Sequence, residues 1–268
     1  MFMVTLRQFG PWLAIGMSGL ALVVGTPAAQ AARLDEAAER YRPYLIEDIG
    51  GAEAGARRLR DCLADGNLEG AKAAWVAARV GWERSEVFTS GFVPDLDKDV
   101  DAWPDARTGF HAIEAKLFGA NSTDVLAETD ALVRNLADLG GKIRTIPLTP
   151  QRLLNGIARL AYEVGESKVD GGESRLSGTS LEDMRNNVDG IELAYRTVFA
   201  SEIAATDSSV AQAALRQIEQ LKLSVGIRDL KRLDSDGLRA ASEELVVVFQ
   251  GAAPQIGLKK PALEETIE

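Results

Sequence analysis

The sequence predicts an all-α chain of up-and-down helical bundles, and three observations carry that reading. Beyond the N-terminal segment the chain is rich in Ala, Leu, Arg and Glu, while aromatic residues make up only 6% of it. Apolar residues recur at helical spacing, and no stretch alternates as a half-buried strand does. The periodic stretches are separated by turn and cap chemistry: Asp65–Gly66–Asn67, Gly140–Gly141, Pro147–Leu148–Thr149–Pro150, Asp170–Gly171–Gly172 and Asp234–Ser235–Asp236.

Residues 1–31 read as a cleaved signal peptide. Arg7 precedes the apolar run Trp12–Val24, then come Gly25–Thr26–Pro27 and the Ala29–Gln30–Ala31 cleavage pattern. The expectation is an exported periplasmic protein that does not span the membrane after cleavage. Removing that segment takes away one charged side chain, Arg7, and leaves a net charge of about −11. Such a surface repels nucleic acid and suits a cation. Cys62 is the only cysteine, which excludes an intrachain disulfide and thiolate metal sites; its setting beside Leu59 and Leu63 predicts a small buried residue.

Helical period predicts helices over 33–47, 51–64, 67–90, 109–119, 123–140, 149–168, 180–200, 206–224 and 234–250. Thr149–Pro150 predicts an N-cap followed by proline at the first helical position, and Ser180 with Asp183 predicts a weak capping box. Helices of this length joined by short turns pack as bundles. There are too many for one four-helix bundle, so we expect an N-terminal bundle over 32–145 and a C-terminal one over 146–251, with a disordered tail over 252–268. The stretch 91–108 carries two prolines and a series of aspartates and reads as a loop or a broken helix.

Three pieces can carry chemistry. Glu83 and Glu86 stand at i,i+3 on one helix face, and Trp75, Arg79, Trp82 and Glu86 share a stripe. The pair reads either as a cation site or as a solvated edge neutralised by Arg79 and Arg84. Asp95, Asp97, Asp99, Asp101 and Asp105 resemble a calcium loop in their alternation. An EF-hand register fails from either start, because Val100 or Ala102 stands where Gly is needed and Ala106 or Thr108 where Glu is needed. His111 is the only histidine and lies three residues before Glu114, within reach of a shared ion or of a simple hydrogen bond. A zincin motif and a paired Glu-x-x-His di-iron centre each need a second histidine, so both fail. Together the pieces describe a hard, oxygen-rich site that favours iron, manganese, calcium or magnesium, with zinc and copper(II) open through the imidazole.

Four ordered motifs resemble the imelysin-like family, and within it the EfeO/EfeM type. GFHAIEAKLFG (109–119) is similar to the family's G-x-H-x-x-E signature, and ARVGWERSE (78–86) to its AR-x-x-YE-x-IE helix. DLDKDVD (95–101) resembles DLD-x-x-ID, and NNVDG (186–190) resembles ANVEG. The resemblance implies an all-helical, two-bundle periplasmic protein of iron uptake, working beside an iron permease and a haem peroxidase. It implies His111, Glu83, Glu86 and Asp101 as metal ligands, Glu114 as the end of the signature, and Glu173 as a further carboxylate. LSGTSL (176–181) stands where the family has YSHTDL, which removes a second histidine. The chain resembles the shorter form without the N-terminal cupredoxin domain. The leading expectation is a metal-binding transport component rather than an enzyme. The alternatives are a metallopeptidase, or a bundle that binds an acidic polysaccharide through Trp75, Trp82 and Trp103.

Overall fold

In a computed structural model, which describes residues 26–102, 107–169 and 172–263, helix α1 (Pro27–Ala64) runs 38 residues without a break. The expected interruption between 47 and 51 does not form. Ile49 and Ala52 are fully buried, and that burial outweighs the roughly 1 kcal/mol that each of Gly50 and Gly51 costs a helix. Most of the predicted signal peptide lies outside the described residues; Pro27–Ala31 open α1. Asn67 caps α2 (Leu68–Phe92) by accepting from Gly70 N at 2.9 Å.

From Asp95 to Asp101 the aspartate series is helical; Asp105 lies outside the described residues. Pro94 opens α3 (Pro94–Asp101), and Asp95 and Asp97 in its first turn complement the helix dipole. Winding the alternating series into a helix separates it: Asp97 and Asp101 are partly buried, while Asp95 and Asp99 face solvent. Next come α4 (Gly109–Glu114), a π-helical turn (Ala115–Gly119) and α5 (Leu126–Thr145). Helix α5 passes straight through the predicted stop at Gly140–Gly141, because Leu139 and Ile143 on either side are fully buried.

Helix α6 (Pro150–Glu166) starts where predicted, although the Thr149 hydroxyl makes no cap bond. Helix α7 (Ser180–Ala194) continues through a second π-helical turn, Tyr195–Phe199, into α8 (Ala200–Thr206). The predicted capping box is absent: Ser180 Oγ donates to the Glu173 carbonyl, and Asp183 is held by Arg79 instead. Helices α9 (Ser208–Val225) and α10 (Ser235–Ala252) are capped by Asp207 and Asp234. The tail is not disordered from residue 252. Ala253 and Ile256 are buried in a turn that packs on α8 and α10, and Lys259 N donates to Gln151 Oε1 on α6 at 2.8 Å, so apolar contact and a hydrogen bond anchor it.

The described residues contain helices, turns and loops but no strand, and their buried apolar side chains form one cluster from Leu34 to Ile256. Helix α2 sits at its centre. It packs on α1, on α6 and on α7, while α5 covers α1, and α10 joins α6 to α9. Glycines make the approach to α2 possible. A Cβ on Gly156 would lie 1.9 Å from the Val87 carbonyl oxygen, and one on Gly190 would lie 2.4 Å from that of Arg84. Helix α2 therefore touches α6 and α7 backbone to backbone, and a polar residue on those faces is sealed from water. Among the described residues no helix is long and apolar enough to cross a membrane.

Candidate metal centre

Successive turns of α2 carry Arg79, Glu83 and Glu86 toward the junction with α6 and α7. Arg79 and Glu83 are 1% and 0% exposed, so the solvated-edge reading of this helix face does not hold. The Arg79 guanidinium lies 5.4 Å from the Trp75 ring and 5.3 Å from the Phe110 ring. Its Nη1 donates to Asp101 Oδ1 at 2.7 Å, and its Nη2 donates to Asp183 Oδ2 at 3.2 Å and to Glu83 Oε1. Burial opposes ionisation of Glu83, but Arg79 and Lys168 outweigh it and hold this carboxyl down to about 2.

A second cation, Lys168, lies just beyond the last turn of α6. Its Nζ is 2.9 Å from Glu83 Oε2, 3.1 Å from Glu86 Oε2 and 3.0 Å from Glu173 Oε2. Asn187 on α7 donates its amide nitrogen to the same Glu83 oxygen at 2.8 Å and to Glu86 Oε2 at 2.6 Å. Burial pushes Glu86 well up and raises Glu173, and it lifts Asp183 to about 7 despite Arg79.

His111 stands between two carboxylates. Gly109 makes this possible: its φ is +65°, and a Cβ there would lie 1.9 Å from the Val100 carbonyl oxygen, so only glycine lets α4 start against the end of α3. His111 Nε2 then lies 3.3 Å from Asp101 Oδ1, and Nδ1 lies 3.2 Å from Glu114 Oε2. Burial disfavours a charged imidazole, but Asp101 and Glu114 prevail and raise its pKa. Glu114 is fixed in turn by Ser177, whose N and Oγ donate to Oε1 at 2.8 and 2.7 Å. Trp82 Nε1 holds Asp101 through Oδ2 at 2.7 Å.

A model of the imelysin (Peptidase_M75) family matches residues 37–108 and 105–244, most of the chain. The chain belongs to the imelysin family. Its relatives include the iron uptake system component EfeO of Escherichia coli O157:H7, 32% identical over 188 residues, which span 64% of this chain and 50% of EfeO. The iron uptake system component EfeM of Bacillus subtilis (strain 168) is 31% identical over 175 residues, 62% of this chain and 45% of EfeM. This imelysin therefore spans about half the length of the curated relatives it matches. A solved Parabacteroides distasonis protein, provisionally described as an iron-regulated protein A precursor, superposes with a TM-score of 0.70. That match covers 87% of this chain and 96% of the other at 16% identity, and it speaks to the fold alone.

In this imelysin the six residues singled out in the sequence, Glu83, Glu86, Asp101, His111, Glu114 and Glu173, converge on one buried network. They are not arranged as an open ligand cage: among the described residues no three His, Cys, Asp or Glu side chains are grouped as they would be around an ion. Arg79 and Lys168 stand among them. The donor chemistry nonetheless fits a hard cation, because six carboxyl groups, counting Asp183, face two permanent cations and one imidazole.

Asp189 stays outside the network, half-exposed and 3.6 Å from Lys222. The stacking surface proposed for a sugar loses Trp75 and Trp82, both fully buried; Trp103 lies outside the described residues. Cys62 is a free thiol and only partly buried. Sequence reasoning missed Lys168, Asp183 and Asn187 as members of the site. A signal was present: Lys168 continues the apolar register Ile157–Ala161–Val164, and Asp183 and Asn187 flank Met184 and Val188 on the buried face of α7. A charged or amide side chain in such a register needs buried partners.

Proposed function

We propose that this imelysin holds iron as cargo in the periplasm, as the metal-binding component of an EfeUOB-type uptake system beside an iron permease and a haem peroxidase. One observation carries the reading: a buried cluster with more carboxyl groups than cations has a negative excess that only protons or a further cation can relieve. The names of the EfeO and EfeM relatives support iron as that cation. Manganese, zinc, copper(II) and calcium are the competitors to measure against it.

In this reading Glu83, Glu86, Asp101 and Glu173 supply oxygens, and His111 supplies Nε2. Glu114 has a different role. It is engaged on Nδ1 and pinned by Ser177, so it orients the imidazole and makes it a better donor, as outer carboxylates do for metal-bound histidines. Burial shifts Glu86 and Glu173 toward their protonated forms, so protons compete with the ion and affinity is tied to pH.

The test is melting of the chelated protein with each ion, ferrous iron being handled without oxygen. An ion at a hundred times its Kd adds about 2.7 kcal/mol of stability. The rise is expected to be largest with iron and to be lost in His111→Ala and Glu83→Gln. No rise with any ion, or an equal rise in both variants, would overturn the proposal.

A further inference from the structure

Three carboxylate oxygens, from Glu83, Glu86 and Glu173, converge on one point, and the Lys168 ammonium occupies it at 2.9, 3.1 and 3.0 Å. With the lysine in place these carboxylates are not grouped as they would be around a metal ion; the point they share is filled by a cation tethered to the chain. Three features set it apart from an ordinary ion pair. All the participating side chains are at most 15% exposed, so water does not screen them. The lysine stands on the connection after α6 rather than within the helix, at the end of a four-carbon stem with many rotamers. Asn187 adds its amide nitrogen to two of the same oxygens, while its Oδ1 is buried with no hydrogen-bond partner among the described residues. Every donor at this point thus does for the carboxylates what a metal ion would do.

We infer that Lys168 is a built-in competitor for the metal: its ammonium keeps the Glu83–Glu86–Glu173 pocket closed and neutralised when no metal is bound, and it must leave that point for an ion to be held there. The inference rests on the metal-binding reading above and adds a residue that lowers affinity on purpose, which suits a carrier that must release its cargo. The ion and the ammonium cannot share the point, because two positive charges a few ångströms apart away from water repel strongly. A purely structural lysine would behave differently: its loss would weaken the fold and leave metal affinity unchanged or lower.

The experiment titrates manganese(II), and ferrous iron without oxygen, into full-length wild type, Lys168→Met, Lys168→Gln and Lys168→Arg by calorimetry, with melting measured alongside. Lys168→Met should melt below wild type without metal, bind the ion at least about tenfold more tightly, and gain more stability from it than wild type does. Lys168→Gln keeps a donor for the carboxylates and serves if the Met variant does not fold; it too should bind more tightly. Lys168→Arg keeps the charge with a better fork for carboxylates, so it should bind no more tightly than wild type. Unchanged or weaker binding by the neutral variants, where wild type binds, overturns the inference and leaves the metal-binding reading standing. Tighter binding by Lys168→Arg overturns it equally. Absence of binding in wild type and in the neutral variants overturns both.

Discussion

Arg79→Met is the substitution that best separates a neutralised buried network from an ordinary core. Methionine keeps the apolar stem of the side chain between Trp75 and Phe110 and removes the charge together with its N–H donors. Glu83, Asp101 and Asp183 then lose their shared donor, two of them at distances of 2.7 and 3.2 Å. Breaking a buried ion pair from one side costs about 3–5 kcal/mol, against a total stability of order 5–15 kcal/mol. The cost must depend on pH. Burial already lifts Asp183 to about 7, so in the variant it can shed its charge by taking a proton. A carboxyl whose folded pKa is raised opposes folding fully above that pKa, progressively less as pH falls below it, and not at all only below its ordinary unfolded value. The loss should therefore approach the upper end of the range at pH 8 and shrink at pH 5.5. Urea unfolding followed by emission of the buried Trp75 and Trp82 reads both values. A loss below about 1 kcal/mol at pH 8, or the same loss at both pH values, would refute the reasoning.

The metal-free wild type should itself be most stable in mildly acidic solution. Asp97 and Asp183, each pushed to about 7 chiefly by burial, with Glu86 and Glu173 raised for the same reason, contribute stability below their ordinary carboxylate range that is lost as pH climbs through about 7. Glu83 and Glu114, held low by Arg79, Lys168, His111 and Ser177 against the effect of burial, act oppositely, and their contribution is lost below about pH 4. Melting temperature measured across pH 3–9 should peak between these limits, and metal should flatten the alkaline fall; a metal-free optimum above pH 8 would contradict the assignment. Packing makes a separate prediction about glycines. Gly156→Ala and Gly190→Ala push a methyl into backbone on α2 and should each cost about 1–3 kcal/mol, while Gly51→Ala, with nothing within 4 Å, should gain up to about 1 kcal/mol in chemical denaturation.

Composition and period determined the helical class, because helix formation depends on side chains three and four residues apart, and those are adjacent in sequence. They placed most elements, and the motifs around Glu83, Asp101 and His111 named the residues that meet. What they misjudged were the positions where local preference and burial disagree. The interruption expected between 47 and 51 and the stop expected at Gly140–Gly141 lie inside α1 and α5, because buried neighbours hold the helices together. Asp183 reads as a cap and is a partner of Arg79. The sharing of the site between α2, the turn after α6 and α7 was invisible, since contacts between Glu83, Lys168 and Asn187 join residues 85 and 104 positions apart. Only the tertiary structure decided that the carboxylates face two internal cations rather than solvent, and the reason is physical. A buried charge must be met by whatever the fold brings beside it, and one-dimensional spacing carries no record of that neighbour.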